Sequence, residues 1–285
     1  MKKVFLFVML LSFQLTGWKQ ISASSKKKSN FSFAFFTDIH LNKGENNCFL
    51  GIEKAIESAK SNSVDFILTG GDNVDIDGLG KDTETAHSLY QQYAITIANS
   101  GIDYYATIGN HDRYWGCKKS DSLYNHGLFE KYINKSYYSY DHKGWHFIVL
   151  NTSNYIVDEV QKDWLAADLE HLDAKTPIII SCHVPFLSVY YPSLQGRYTD
   201  TDTFSNFKEI WDMFNNKNLK LVLQGHMHLY EEIKVKGVQF ITAGAISASW
   251  WGGNYHGTEE GYLKVNIDGI DFDWEYIDYG WDVKK

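Results

Sequence analysis

The sequence predicts an α/β protein with a core of parallel strands, followed by an antiparallel second sheet. Short apolar runs typical of buried strands alternate with segments whose apolar residues recur at helical spacing. From residue 233 to residue 279, the pattern instead alternates between apolar and polar residues, as in an antiparallel meander. No internal repeat or Pro/Gly/Ser-rich linker follows residue 30, so we expect one domain over residues 31–285.

The first half of the domain contains three predicted strands with helices between them. The strands cover residues 31–40, 64–73 and 102–112, and each apolar run ends in polar or charged residues. The intervening helices cover residues 48–62 and 83–100. The first helix is predicted because Ile52, Ala55, Ile56 and Ala59 fall on one face.

The second half continues the alternation. A short helix is predicted at 128–134, and residues 137–152 form a hairpin that turns near Lys143 and Gly144. A helix at 158–173 places Val160, Trp164, Leu165 and Leu169 on one face. Strands at 177–185 and 219–228 then flank a helix near 204–215.

Composition narrows the functional class. Of the 285 residues, 44% are hydrophobic and 16% aromatic, which is ample for a packed core. The formal net charge is −8, from 27 basic and 35 acidic residues, which argues against a protein that coats nucleic acid through charge. The negative net charge is still compatible with a small anionic substrate, because binding such a substrate needs only local positive charge or metal ions.

The N-terminus has the pattern of an export signal. Lys2 and Lys3 precede an apolar run over residues 4–15 that is too short to span a bilayer comfortably, and a small residue, Ala23, offers a cleavage site. We therefore predict a signal peptide over residues 1–23, a polar linker over 24–30, and an exported product (periplasmic, cell-surface or secreted) without a stable membrane span. An uncleaved membrane anchor is the alternative.

Three cysteines are too few for a disulfide scaffold. Cys48 and Cys117 could pair in an oxidising compartment, while Cys182 lies in an apolar run and is expected to be buried.

Ligand-type side chains collect at five predicted strand ends. One such residue alone is more often a helix cap or a turn residue. Here all five ends carry them, and five of the eleven histidines fall there. In a parallel sheet, these ends meet at one crevice. The residues are Asp38, His40, Asp72, Asn110, His111, Asp112, His183, His226 and His228.

This donor set predicts metal binding. Oxygen and imidazole nitrogen without thiolate disfavour a structural zinc site and suit Mn, Fe or catalytic Zn. There are more ligands than one ion needs. Two ions about 3.5–4 Å apart are typical of sites that hydrolyse phosphate esters.

The ordered motifs TDIH, GGDN, GNHD, SCHVP and GHMH resemble the calcineurin-like metallophosphoesterase superfamily, in its purple-acid-phosphatase-like and cyclic-nucleotide-phosphodiesterase-like branch. The resemblance implies a four-layer α/β/β/α sandwich of two packed mixed β-sheets flanked by helices. It also implies two divalent or trivalent ions that activate a bridging water for in-line attack on phosphorus. By the resemblance, one ion is bound by Asp38, His40 and His228, the other by Asn110, His183 and His226, with Asp72 bridging, His111 as general acid and Asp112 orienting His111.

One position departs from the pattern. Purple acid phosphatases carry a tyrosine three residues after the GD aspartate, whereas this chain has Asp75 there. The tyrosinate ligand that gives those enzymes their colour is therefore expected to be absent.

The expected activity is hydrolysis of a small phosphate ester. Seven residues of aromatic, glycine-bearing loops are candidates for the substrate site. Tyr190, Tyr191, Trp250, Trp251 and Tyr255 could stack on a base or sugar, and Arg113 and Arg197 could clamp phosphate. Phosphodiesterase activity on cyclic nucleotides or lipid-linked diesters is an alternative to monoesterase activity. A protein phosphatase and a catalytically silent metal- or ligand-binding relative are further alternatives.

Overall fold

The computed structural model describes residues 30–43, 47–197 and 203–283. The predicted signal peptide and nearly all of the predicted linker lie outside these residues. The described chain forms two mixed sheets that pack face to face, with helices on their outer faces. This arrangement confirms the predicted α/β/β/α sandwich.

The first sheet has five strands in the order β11-β10-β1-β2-β3. Strands β1, β2 and β3 are mutually parallel, and β10 runs antiparallel to both β1 and β11. Their bounds are Asn30–Phe36 (β1), Phe66–Gly70 (β2), Asp103–Thr107 (β3), Gly261–Asp268 (β10) and Asp271–Asp278 (β11).

The second sheet has six strands in the order β4-β5-β6-β7-β9-β8. The inner four strands are parallel, and β4 and β8 are antiparallel edges. Their bounds are Tyr138–His142 (β4), Trp145–Val149 (β5), Pro177–Ser181 (β6), Asn218–Gln224 (β7), Glu231–Val235 (β8) and Val238–Thr242 (β9).

Six α-helices complete the described part of the chain. Residues of the first two pack on the outer face of the first sheet, and α4 and α6 pack on the second. Among the described residues, no helix is long and apolar enough to span a bilayer. The bounds are Cys48–Ser61 (α1), Thr83–Asn99 (α2), Gly127–Tyr132 (α3), Glu159–His171 (α4), Tyr190–Gln195 (α5) and Phe207–Asp212 (α6).

The two-residue period of the strands distributes the core over three apolar layers. In β1, Phe33 and Phe35 face the second sheet, whereas Ala34 and Phe36 face α1 and α2. Aromatic rings fill the layer between the sheets, as in the stacked pair Phe33–Phe66 at 4.9 Å. The high aromatic content is therefore used largely for core packing.

The C-terminal strands correct one expectation. They do not form a separate antiparallel sheet, because β10 and β11 extend the first sheet, and β8 and β9 extend the second. The reason is burial: Leu263, Val265 and Ile267 of β10 pack into the layer between the sheets. Alternation within a strand shows which face is apolar, but it does not identify the partner strand.

One local prediction is confirmed, one is wrong, and one helix was not anticipated. The hairpin turns at Lys143 and Gly144, both at positive φ, as a type I′ turn requires. The predicted face of α4 is wrong at Val160, which is 69% exposed, because Gln161 is buried in its place. Helix α5 was not predicted. The Cys48–Cys117 disulfide is absent, and the Cys48 thiol lies 3.5 Å from Asn42 Oδ1.

Candidate metal centre

The candidate site lies where five parallel strands of the two sheets end. The loops after β1, β2 and β3 come from the first sheet, and those after β6 and β7 come from the second. The hydroxyls of Thr107 and Ser181, 2.6 Å apart, connect the two sheets at this edge. The Asp38 amide donates to Gly71 O at 2.9 Å, which fixes two of the loops against each other. The site is thus built on rigid strand ends.

The backbone at these strand ends is unusual. Five of the seven predicted metal ligands adopt left-handed φ values that only glycine reaches without strain. Such conformations cost about 1 kcal/mol or more per residue and persist where the surrounding structure enforces them. They turn successive side chains toward one point. The residues are Asp38 (53°), His40 (50°), Asp72 (51°), His226 (74°) and His228 (54°).

Two glycines are required by the close approach of ligand carboxylates. A Cβ atom on Gly109 would lie 2.1 Å from Asp72 Oδ1, and one on Gly225 would lie 2.8 Å from Asp38 Oδ2. Any side chain at either position would displace a carboxylate from the centre.

The first group of candidate ligands consists of Asp38, His40 and His228, the three residues that the family resemblance assigns to one ion. The Nε2 atoms of His40 and His228 are 3.0 Å apart, and His228 Nε2 is 3.3 Å from Asp38 Oδ1. All three residues are buried.

Asp72, His183 and His226 form the second group, and Asn110 joins it. His183 Nε2 is 3.0 Å from Asp72 Oδ2 and 3.1 Å from Asn110 Oδ1. The same Asp72 oxygen lies 3.8 Å from His40 Nε2 in the first group. Asp72 therefore faces both groups, which is the position expected of a bridging ligand.

The hydrogen bonds of the histidines show that these residues fit metal ions. The Nδ1 atoms of His40, His183 and His228 each contact an acceptor, namely Asp75 Oδ1 at 2.6 Å, Gly70 O at 2.8 Å and Ala248 O at 2.5 Å. Carboxylate and carbonyl oxygens only accept, so each Nδ1 carries a proton.

In the neutral tautomer, the Nε2 atoms therefore present lone pairs to one another and to acidic or amide oxygens. Facing acceptors repel unless a cation or a proton lies between them. This pattern, in which the distal nitrogen is held by a second residue, is typical of metal-binding histidines.

The charges of the site favour cations as well. Burial raises the pKa of Asp38 and Asp72, but the neighbouring histidines lower both to well below the ordinary value. Burial lowers the pKa of His183, yet Asp72 and Asp38 raise it to about 9. The carboxylates thus stay ionised and draw positive charge into the centre.

His111 lies beside the first group, but Asp112 does not orient it, so that expectation is wrong. His111 Nδ1 is 2.9 Å from Asp77 Oδ1, and its ring centroid is 5.1 Å from that of His40. The backbone amide of His111 donates to Asp72 Oδ1 at 2.8 Å. Asp77 begins a 3₁₀ turn after β2 and is the carboxylate that positions the imidazole.

Asp112 instead points into the interior and supports the loops. It is fully buried and accepts from the amides of Gly109, Asn73 and Val74 at 2.8–3.0 Å. The Asn73 side chain donates to it as well, at 2.9 Å. Asp112 therefore joins the GGDN and GNHD loops, and its role is structural.

Asp75 also has a role that the sequence did not indicate. In the place of a tyrosine ligand, it accepts from His40 Nδ1 and fixes that ring. A possible signal was the alternation of acids in GDNVDID, which puts Asp75 and Asp77 on one side of the loop next to two histidines.

A cleft of about 300 Å³ opens over the centre. Its polar floor includes Asp72, His111, His226 and His228, and its walls are mostly aromatic. The wall residues are Tyr155, Tyr190, Tyr191, Met227, Trp250 and Tyr255.

The structure places four of the seven predicted substrate residues in this cleft: Tyr190, Tyr191, Trp250 and Tyr255. Trp251 is fully buried and donates from its indole to His40 O, so its predicted contact with substrate is wrong. Arg113 is nearly buried and bonded to Asn125 and Ser153, which prevents a phosphate clamp. Arg197 is exposed, bonds to Gln195 and does not line the cleft.

Sequence reasoning missed Tyr155. Its hydroxyl lies 3.4 Å from His226 Nε2, and its φ of 58° is held by bonds from Ser205 to its carbonyl. The strand-end pattern gave no sign of it, because Tyr155 lies several residues beyond β5.

Several solved structures share this fold. A dimetal phosphatase from Danio rerio matches with a TM-score of 0.60 and 13% identity, covering 88% of this chain and 99% of that chain. GAP50 from Plasmodium, described as an anchor in the inner membrane complex, has a TM-score of 0.60 and 16% identity, with 88% and 85% covered. Phosphopantetheinyl hydrolase from Mycobacterium tuberculosis has a TM-score of 0.50 and 13% identity, with 80% and 94% covered.

At such identities, these likenesses show the fold alone. A search of curated protein sequences found no match. The family model for calcineurin-like phosphoesterases matches residues 31–230, which include every predicted metal ligand. With two groups of candidate ligands that meet at Asp72, the chain belongs to the calcineurin-like phosphoesterase family and is a metal-dependent phosphoesterase.

Proposed function

We propose that the protein hydrolyses esters of small phosphorylated molecules outside the cytoplasm, with two bound metal ions and with His111 as general acid. One observation carries the proposal: Asp72 faces two groups of candidate ligands, most of them buried, and its Oδ1 accepts from the backbone amide of His111. When bound, Mn, Fe or Zn ions would supply an activated water and neutralise phosphoryl charge.

His111 would supply the proton that the leaving oxygen needs. Asp77 engages Nδ1 of His111, so Nε2 is the nitrogen left to carry a proton to the leaving oxygen. Burial lowers the pKa of His111, but the hydrogen bond to Asp77 and the charges of Asp72 and Asp75 raise it to about 10, which favours the protonated imidazole. The His111 side chain is 32% exposed and lines the cleft, which leaves it accessible to a substrate.

Export is supported by the N-terminal sequence: two lysines, a short apolar run and a small residue at the cleavage site. These residues lie outside the described part of the chain. The proposal therefore depends on the sequence pattern alone.

A turnover assay with matched metal analysis tests the proposal. Protein reconstituted with excess Mn²⁺, Fe²⁺ or Zn²⁺ should bind two ions per chain and hydrolyse phosphomonoesters. Asp72→Asn should reduce both metal content and turnover, because Asp72 faces both groups. No more than one ion per wild-type chain would overturn the dinuclear assignment. Diesters in the same screen distinguish a phosphodiesterase.

A second candidate is a protein that binds metal without catalysis. GAP50, which shares the fold, is described as an anchor. Two ions bound per chain without turnover of any monoester, diester or phosphopeptide would favour this alternative.

A further inference from the structure

We propose that the aromatic wall of the cleft is a stacking subsite for a flat ring on the alcohol part of the substrate. The preferred substrate class is then a ring-bearing ester with a single phosphoryl group, of which nucleoside monophosphates are the common example. The inference rests on the proposed phosphoesterase function and specifies its substrate.

Trp250 forms the platform. One side of its indole stacks on His228, with ring centroids 4.1 Å apart and planes 28° apart. The residue is nevertheless 43% exposed, and it lines the cleft. An exposed tryptophan that is stacked on a candidate metal ligand offers its other face to a second ring.

The chain holds this platform in place. Ala248, Trp250 and Trp251 all have positive φ values, between 42° and 67°, which are strained for such residues. The buried indole of Trp251 donates to His40 O, and the carbonyl of Ala248 accepts from His228 Nδ1. The loop that presents Trp250 is therefore bonded directly to two candidate metal ligands.

Tyrosines continue the wall. Tyr255 meets Trp250 edge-on, with centroids 6.0 Å apart, and its hydroxyl lies 2.5 Å from that of Tyr190. Tyr191 packs against Tyr190 at 4.9 Å. Rings from α5 and from the loop after β9 thus line the cleft together.

The platform lies on the side where the leaving group is expected. The ring of His40 contacts both His111, at 5.1 Å, and Trp250, at 5.6 Å. His111 and Trp250 thus contact the same ring and line the same cleft, so a ring carried by an alcohol that His111 protonates can reach Trp250. The part of the substrate that meets the aromatic wall is the alcohol.

Charge limits the substrate to one phosphoryl group. No lysine or arginine lines the described cleft. Arg113 is bonded elsewhere, and the chain has a net charge of −8. A second or third phosphate would find acidic and aromatic neighbours without a cation to pair with it.

The test compares AMP with ribose 5-phosphate, which have the same ribosyl leaving oxygen and differ by the base. We expect kcat/KM for AMP to be higher by about 5- to 100-fold, the range that one base stacked on an aromatic side chain supports. The kcat/KM for ATP should not exceed that for AMP. Cyclic AMP in the same assay distinguishes a diester from a monoester as the ring-bearing substrate.

Substitutions test whether the aromatic wall causes the preference for AMP over ribose 5-phosphate. Trp250→Gly, which also relieves the positive φ, should lower kcat/KM for AMP by more than that for ribose 5-phosphate and so remove most of the AMP preference, while Trp250→Phe should retain part of it. Trp115→Ala is the matched control, because Trp115 lies against the Arg113 guanidinium and meets Tyr124 edge-on outside the cleft, so it should leave the ratio unchanged.

Equal kcat/KM for AMP and ribose 5-phosphate in the wild type, or a preference that survives in Trp250→Gly, would overturn the subsite. Failure to hydrolyse any ester would instead overturn the proposed function.

Discussion

Asp77→Asn tests whether Asp77 positions the general acid. The Asp77 Oδ1–His111 Nδ1 contact is 2.9 Å, and such charge-assisted bonds contribute about 1.5–3 kcal/mol when buried. The side chains are 36% and 32% exposed, so solvent screening reduces the effect to about 1–2 kcal/mol. At 1.4 kcal/mol per tenfold change, we expect kcat to fall by about 5- to 30-fold. KM should change little, since Asp77 does not line the cleft.

The assay compares an alkyl phosphate with 4-nitrophenyl phosphate in metal-loaded protein. A nitrophenolate leaves without a proton, so Asp77→Asn should slow only the alkyl ester markedly. Metal content should stay unchanged, and Asp163→Asn, which removes the same charge from the exposed face of α4, should behave as wild type. Equal losses with both esters, or a loss of bound metal, would refute the positioning role.

Four further outcomes follow from the structure and the sequence. Asp112→Asn should lower the free energy of unfolding, measured in urea, by about 2 kcal/mol or more. The reason is that an amide nitrogen would face N–H donors that now bond to a buried carboxylate. A variant with wild-type stability and lost activity would instead support the orienting role that was expected from the sequence. Iron-loaded protein should show no intense visible charge-transfer band, since Asp75 stands where the tyrosine ligand would be; a purple form would contradict this. Burial lowers the pKa of His146, but its contacts with Asp168 and Asp141 raise this pKa above 6.5. The protonated imidazole therefore contributes fully to the stability of the fold below pH 6.5, and this contribution is lost as the pH rises through the raised pKa. The Tm gap between wild type and His146→Gln should therefore narrow from pH 5.5 to pH 9, and a constant gap would count against the ion triad. Sequencing of the exported protein should find an N-terminus near Ser24, whereas full-length protein in the cytosol would argue against a cleaved signal.

The composition of the candidate centre was predictable because it depends on local patterns. Each ligand directly follows an apolar strand, and parallel strands bring their carboxyl ends together whatever the detailed packing. The structure accordingly gathers Asp38, His40 and His228 in one group, and Asp72, His183 and His226 in another. The ligands meet although their strands belong to two different sheets, because the strand ends of both sheets lie at the same edge of the sandwich.

Side-chain partners and strand partners were harder to predict, because both depend on the three-dimensional course of the loops. Asp112 is adjacent to His111 in sequence, but its carboxylate turns inward to bind amides, and the contact comes from Asp77, 34 residues earlier. Trp250 and Trp251 are likewise adjacent and chemically identical. One faces the cleft and the other is buried, since each takes its direction from a strained backbone.

The centre is unfavourable as an isolated assembly. Five of its residues have left-handed backbones, and the Nε2 atoms of His40 and His228 face each other at 3.0 Å. Each feature opposes folding, and the packing of the two sheets must offset their sum. Bound cations would remove the electrostatic part of this opposition and would bind the folded chain in preference to the unfolded one. Metal affinity and folding are therefore coupled, and the free energy of unfolding should rise with the metal concentration.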